Sequence, residues 1–393
     1  MGSSLVQWAL AQFFFCLNLA GVVTYAVTAS SLQATLKLTT GQIGTLGGAY
    51  FMAYALSQLL LGSSLGALPA RLLLGITALI SASGALLLSF AGSFEIALIA
   101  RLLMGIGFGT AMVGVVFVVA QRYSKKFAFM VNLSQSVANA VGAALGLLAP
   151  LPLLQNFRTP FLLTAILLVV NGVLLLLFMQ EGKDESTSGE ERPLSLGQKL
   201  STIVSNGQFW LGTIYFTGLF GAFLAYADLW NIKFQMDVFG LSSSVAPIVN
   251  ASAATGLTIG CVVTGAWANR IGYLLPARVC GWLSLVFILV LYSAPLGQPR
   301  AIPLMACLGF TLGAAPLGLA VMNAHVPARA QSLASPILLT VVFLGGGVLM
   351  SGVGMNLASL PASAFSTYQA GLKWFIVPIA MAAVSSLFMK PQR

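Results

Sequence analysis

From residue 96 to residue 120 this chain offers almost nothing polar except Arg101, and the run exceeds the ~20 residues that a helix needs to cross a bilayer. A guanidinium in hydrocarbon is costly, so an arginine within such a span usually faces a bundle interior or a water-filled cavity. Gly105, Gly107 and Gly109 follow it, and small residues at this spacing let helices approach closely. Arg101 is therefore the first functional candidate, predicted to face a cavity. Snorkelling to the headgroups, from a place about five residues inside the span, is the alternative.

Eleven more apolar spans accompany it, at about 8–29, 42–61, 72–91, 128–150, 160–179, 208–229, 244–266, 279–296, 301–323, 332–355 and 372–389. Only 7% of the residues are charged and the mean hydropathy is +0.96, whereas a soluble domain carries about 25% charged residues. The reading is an all-α membrane protein with twelve transmembrane helices. A net charge of +10 could suggest nucleic acid, but the basic residues stand singly in loops and form no stripe, so no nucleic-acid partner is expected. With the N-terminus inside, twelve of the 18 basic residues fall in cytoplasmic segments and five outside, which predicts cytoplasmic N- and C-termini in an inner (plasma) membrane. The first span could pass for a signal peptide ending at Ala29-Ser30. No basic residue precedes it, however, and Asn18 and Tyr25 lie within it, so it is read as a span.

Cys16, Cys261, Cys280 and Cys307 all fall in apolar segments, and His325, the one histidine, is assigned to a loop. No disulfide framework, metal site or cofactor is expected. No His, Asp, Cys and Ser set converges on a catalytic arrangement, so the chain is not read as an enzyme. One polar run, 180–193, holds five of the eight acids and reads as a solvated, flexible cytoplasmic linker. It divides the chain into an N-terminal six-helix bundle (1–180), the linker (181–206) and a C-terminal six-helix bundle (207–393).

The two bundles echo each other. Gly105 and Gly109 recur 204 residues later as Gly309 and Gly313, Gly142 recurs as Gly346 at the same distance, and Gly62 recurs as Gly265 at 203. A nearly constant shift across three spans indicates a duplicated unit, a signature of secondary transporters.

With these features the chain resembles the major facilitator superfamily over nearly its whole length. The most specific local match is Gly265-Ala-Trp-Ala-Asn269-Arg270-Ile-Gly272, similar to the family's loop between the second and third helix of each half, G-x-L-a-D-R-x-G. Asn269 stands where the family has Asp, so the charged form of that gating latch is missing. The first-half copy, from Gly62 through Gly66 and Ala67 to Arg71, is more degraded. Arg101 through Gly109 is similar to the fourth-helix pattern R-x-x-x-G-x-G, associated with proton-coupled members. The fifth-helix pattern of drug antiporters, G-x-x-x-G-P, is half present, since Leu147 follows Gly142 and Gly146. The resemblance implies two pseudo-symmetric bundles around a central cavity lined by helices 1, 4, 7 and 10.

Polar residues sit compatibly with that arrangement. Asn18 and Tyr25 lie one heptad apart on span one, Tyr50, Tyr54 and Gln58 form an i, i+4, i+8 stripe on span two, and Asn132, Gln135 and Asn139 form a stripe on span five. Each stripe either contacts solute or ties helices together by hydrogen bonds, and both readings stand. Asp228, in Tyr226-Ala-Asp228-Leu-Trp230, is expected near the outer end of span seven at the depth of Arg101. The two are read either as a proton-sensitive pair or as separate groups, Asp228 interfacial and Arg101 free for a carboxylate or phosphate. Asp237 is assigned to an outer loop. The pairs Gly142/Gly146 and Gly256/Gly260 fit either a rocking interface between halves or static packing.

The expected function is alternating-access secondary transport of a small organic solute by a monomer, coupled to protons. Multidrug or siderophore efflux is one alternative, and a non-transporting membrane sensor or assembly factor is another.

Overall fold

The computed structural model describes residues 4–65, 68–123, 126–148, 151–152, 156–180, 195–242, 245–293, 298–361 and 365–391, with the backbone alone for 63, 127–129, 132, 196, 298–299, 328 and 332. Twelve long helices occur among the described residues: α1 Ser4–Leu36, α2 Thr40–Leu60, α3 Ala70–Ser89, α4 Phe94–Arg122, α5 Phe127–Leu147, α6 Arg158–Phe178, α7 Gly207–Asp237, α8 Ala246–Ile271, α9 Leu274–Ser293, α10 Arg300–His325, α11 Ala328–Leu357 and α12 Phe365–Phe388. Ten are long and apolar enough to cross a membrane. The other two, α2 and α5, are the helices that carry the polar stripes. Side chains that would be solvated in a soluble protein are here large and apolar, as on α6, where Leu163, Ile166, Val170 and Leu177 are exposed. Such a girdle suits lipid.

The chain divides into two compact units, Met1–Gly189 and Glu190–Arg393. Packing inside each follows one scheme. The first span lies against the fifth, the second against the fourth, and the third against the fourth and sixth, as α1–α5, α2–α4, α3–α4 and α3–α6 in one unit and α7–α11, α8–α10, α9–α10 and α9–α12 in the other. The repeated glycines sit at the repeated contacts. A Cβ on Gly105 would strike the Tyr50 carbonyl of α2, and one on Gly309 would strike the Ala253 carbonyl of α8. Gly109 and Gly313 press the same pair of helices a turn later, against Ser57 and Gln58 and against Leu257 and Cys261.

Several expectations need correction. The span at 96–120 is not one straight helix: α4 breaks at Gly109–Thr110 between Phe94–Phe108 and Ala111–Arg122, and α10 breaks at 313–316 between Leu312 and Leu317. Both breaks occur at the repeated glycine, where tight packing removes a Cβ and with it much of the local helix preference. Asp237 lies not in a loop but at the end of α7, ion-paired to Lys233 one turn back at 3.2 Å. Asp228 is therefore nine residues from the helix end rather than near it. His325 also ends a helix instead of lying in a loop. Part of the linker is ordered: Ser195 and Gln198 form a capping box that starts a helix over Leu196–Val204, while 181–194 lies outside the described residues. The family-like motif runs on helix, not loop, since Gly265, Asn269 and Arg270 occupy the last turns of α8. Only Gly272, at φ 84°, makes the turn that requires glycine. Gly256 and Gly260 pack inside their own unit, against the Ala306 and Phe310 carbonyls of α10.

Candidate functional site

In the N-terminal unit five predicted residues meet where α1, α2 and α4 pack. Arg101, 1% exposed, is the largest charged group inside the fold, which disposes of snorkelling to the headgroups. Its Nε donates to the Leu46 carbonyl of α2 at 3.2 Å, an oxygen with a second lone pair beyond its helical bond. The guanidinium lies over two rings, with Cζ 4.1 Å from the Tyr25 centroid and 4.3 Å from that of Tyr50. Each such contact attracts through the ring quadrupole, by up to about 2 kcal/mol where water is excluded. Nη1 is buried with no partner among the described residues.

Both rings are held by their hydroxyls. Tyr25 donates to the Ile43 carbonyl at 2.6 Å, and Tyr50 donates to Asn18 Oδ1. Tyr54 stacks on Tyr50 with centroids 6.2 Å apart. Phe108 closes the box, 6.4 Å from Tyr50 and 5.6 Å from Phe14. The glycine at 105 permits this cluster, because it lets α4 press its backbone onto α2 beside Tyr50. Gln58, further along the same stripe, is buried, and its Oε1 has no partner among the described residues.

The second stripe joins itself rather than the cluster. Gln135 donates to Asn139 Oδ1 at 2.9 Å, and the side chain of Asn132 lies outside the described residues. One bond that spacing did not reveal ties α5 to α1: Trp8 donates to Ser134 Oγ at 2.8 Å, beside a bond from Gln12 to the Ser134 carbonyl.

In the C-terminal unit α7 widens into two π-helical turns, Thr217–Gly221 and Tyr226–Trp230. Such turns release a carbonyl from the regular ladder and recur at functional sites. Asp228 sits in the second one, half-buried, with no hydrogen bond or ion pair to a described residue of its own unit. Tyr226 fills an aromatic cleft against Phe375, centroids 5.2 Å apart, beside Trp230 and Phe234. Its hydroxyl is buried with no partner among the described residues.

Sequence reasoning missed a chain of three amides next to Asp228. Asn250 of α8 donates to the Ala227 carbonyl at 2.8 Å, Asn231 donates to Asn250 Oδ1 at 2.6 Å, and Gln235 donates to Asn231 Oδ1 at 3.2 Å. The Ala227 oxygen can only accept, so it orients every amide in the chain. The terminal Gln235 Oε1 is left as a buried acceptor without a partner among the described residues. The i, i+4 spacing of Asn231 and Gln235 was the available signal, the same rule that picked out Tyr50 and Tyr54.

The motif residues are peripheral. Asn269 and Arg270 are exposed, as is Arg71 at the start of α3, and Asn269 engages no described residue. Gly62 opens a short turn that packs on Val113 of α4, while Gly66 and Ala67 lie outside the described residues. Among the described residues no group of His, Cys, Asp and Glu could hold a metal ion.

A family model described as the Major Facilitator Superfamily matches residues 8–350. No curated protein sequence matches the chain. Solved structures do. A bacterial homolog to the human lysosomal transporter Spinster, inward-facing and unoccupied, aligns at a TM-score of 0.76 and 16% identity, covering 98% of this chain and 97% of that one. Its occupied form gives 0.72 and 17%, over 97% and 95%. The nucleoside transporter NupG gives 0.71 and 15%, over 99% and 98%. At these identities the likeness is one of fold.

Proposed function

The chain belongs to the major facilitator superfamily, a multi-pass fold of two six-helix halves, and from that premise we propose that it is a proton-coupled secondary transporter. It moves a small organic solute across a bacterial inner membrane by alternating access, as a monomer with both termini cytoplasmic. The halves are 1–180 and 207–393, joined by 181–206.

The observation that carries this reading is Arg101, a permanent cation sealed inside a helical bundle with one Nη unpartnered. Burying such a group in a membrane span is costly, which makes it a functional candidate. Asn18, Tyr25, Tyr50, Tyr54 and Arg101 form the solute-binding surface of the first half, extended by Asn132, Gln135 and Asn139, and Tyr226 serves in the second. Asp228 carries the coupling proton: it is the one acid in the middle of a described span, and its half-buried carboxyl has no fixed partner within its unit. Gating falls to the α2–α3 and α8–α9 ends, around Gly62, Arg71, Gly265, Asn269, Arg270 and Gly272.

The test is solute uptake into proteoliposomes with and without an imposed pH gradient. Arg101→Ala is expected to abolish flux while inserting normally, and near-normal flux in that variant would remove Arg101 from the mechanism.

A further inference from the structure

Charge around Arg101 does not balance within its own half. Among the described residues of that half Glu95 is the only acid, and it is exposed in the first turn of α4. Six residues of helix, about 9 Å of rise, separate it from Arg101. The Leu46 carbonyl takes Nε, and Cζ lies over the Tyr25 and Tyr50 rings, but dipoles and quadrupoles do not neutralise a buried ion. Nη1 has no partner among the described residues.

The geometry points to an organic acid as the source of the missing charge: Arg101 is the carboxylate-binding residue for a monoanionic solute with an aromatic or apolar body. Three observations narrow the class. The box holds one cation, so a carboxylate at −1 balances it, whereas a phosphate monoester near −2 at neutral pH leaves a charge buried. A planar guanidinium edge matches the planar carboxylate with parallel N–H donors. The two tyrosine hydroxyls beside the guanidinium are already engaged, Tyr25 with Ile43 and Tyr50 with Asn18, and Phe14 and Phe108 complete the lining.

The word solute rests on the transport reading, but binding can be measured without flux. Thermal unfolding of the purified full-length protein is followed with benzoate, with benzamide as its neutral isostere, and with phenyl phosphate, at matched ionic strength. Benzoate is expected to raise the midpoint in a saturable way and benzamide is not. In Arg101→Gln the benzoate response disappears, and in Arg101→Lys, which keeps the charge and loses the fork, it is reduced. An equal response to benzamide, no response to benzoate, or a benzoate response that survives in Arg101→Gln overturns the site. A larger response to phenyl phosphate overturns the choice of carboxylate. The wild-type comparison of benzoate with benzamide decides the matter even if Arg101→Gln does not fold. Benzoate binding without any gradient-driven flux would sink the transport reading and leave the site, while flux of other solutes untouched by benzoate would do the reverse.

Discussion

Gln7 and Gln208 hold the same post in the two halves of the molecule. Gln7, at the start of α1, donates to the Phe178 carbonyl that ends α6 at 3.0 Å and accepts from the Gln180 amide at 2.8 Å. Gln208, at the start of α7, donates to the Phe388 carbonyl that ends α12 at 3.3 Å and accepts from the Lys390 amide at 2.9 Å. One primary amide thus closes each bundle, first helix to last, by satisfying a helix-end carbonyl and the amide just beyond it. The opposite ends of the helices are joined alike: Arg158 of α6 donates to the Ser89 and Ala91 carbonyls at the end of α3, and Gln369 of α12 donates to the Tyr292 carbonyl of α9.

Replacing either clip strands two backbone groups. Gln7→Leu is expected to cost about 1–3 kcal/mol, because Gln7 is buried and water cannot take over its bonds. Gln208→Leu should cost less, since Gln208 is half-buried. With no shared partners the two losses should add. Thermal or denaturant unfolding in detergent, measured on both single variants and the double, checks the order and the sum.

The glycines separate into those that need to be glycine and those that do not. Gly105→Ala and Gly309→Ala push a methyl into a neighbouring carbonyl and should each destabilise by about 1–3 kcal/mol. Gly265→Ala meets no atom within 4 Å in a helical position and should be neutral or stabilising by up to about 1 kcal/mol. Gly272→Ala, at φ 84°, should be destabilised by backbone strain although its Cβ has room. Retained unfolding midpoints in the first pair, or a loss in Gly265→Ala, would contradict this sorting.

The legible part of the fold was what hydropathy and close packing write directly into residue types. Twelve spans, the shared offset of Gly105/Gly309 and Gly109/Gly313, and an Arg101 sheltered from lipid follow from apolar runs and from positions where no Cβ fits, whereas the tyrosines around Arg101 were not read as its neighbours. The clips were not legible, because Gln7 and Gln208 are 201 residues apart while Phe178 and Phe388 are 210 apart, so no single shift aligns the repeat. Span seven was ended too early at 229 because Asn231, Lys233 and Gln235 look like a helix end on any polarity scale. In the folded chain a partner on α8 and an ion pair one turn apart satisfy them, and the helix runs on to Asp237.

Asp228 has a distinct kinetic signature under the transport reading. Asp228→Asn keeps the shape and removes the titrating proton, so gradient-driven accumulation should vanish while solute exchange at equal pH on both sides persists. Proteoliposome counterflow and uptake, compared at equal and unequal pH, separate the two. Unchanged dependence on the gradient in Asp228→Asn would rule out its role in coupling.

The amide chain beside it gives the most discriminating stability test, because its polarity is fixed from one end. The Ala227 oxygen obliges Asn250 to present Nδ2 to it and Oδ1 to Asn231, which then presents its own Oδ1 to Gln235. Asn250→Leu strands an acceptor at Ala227 and a donor at Asn231, and should cost about 2–4 kcal/mol at roughly 1–3 per buried orphan. Gln235→Met strands only Asn231 Oδ1 and removes an acceptor that was already unpartnered, so its cost should be about 1 kcal/mol or less. Asn250→Asp turns an acceptor toward the Ala227 oxygen and should be worse than Gln235→Met despite the conserved shape. Unfolding midpoints of the three variants establish the order, and a larger loss in Gln235→Met than in Asn250→Leu would mean that the bond from Asn250 to the Ala227 carbonyl does not anchor the chain.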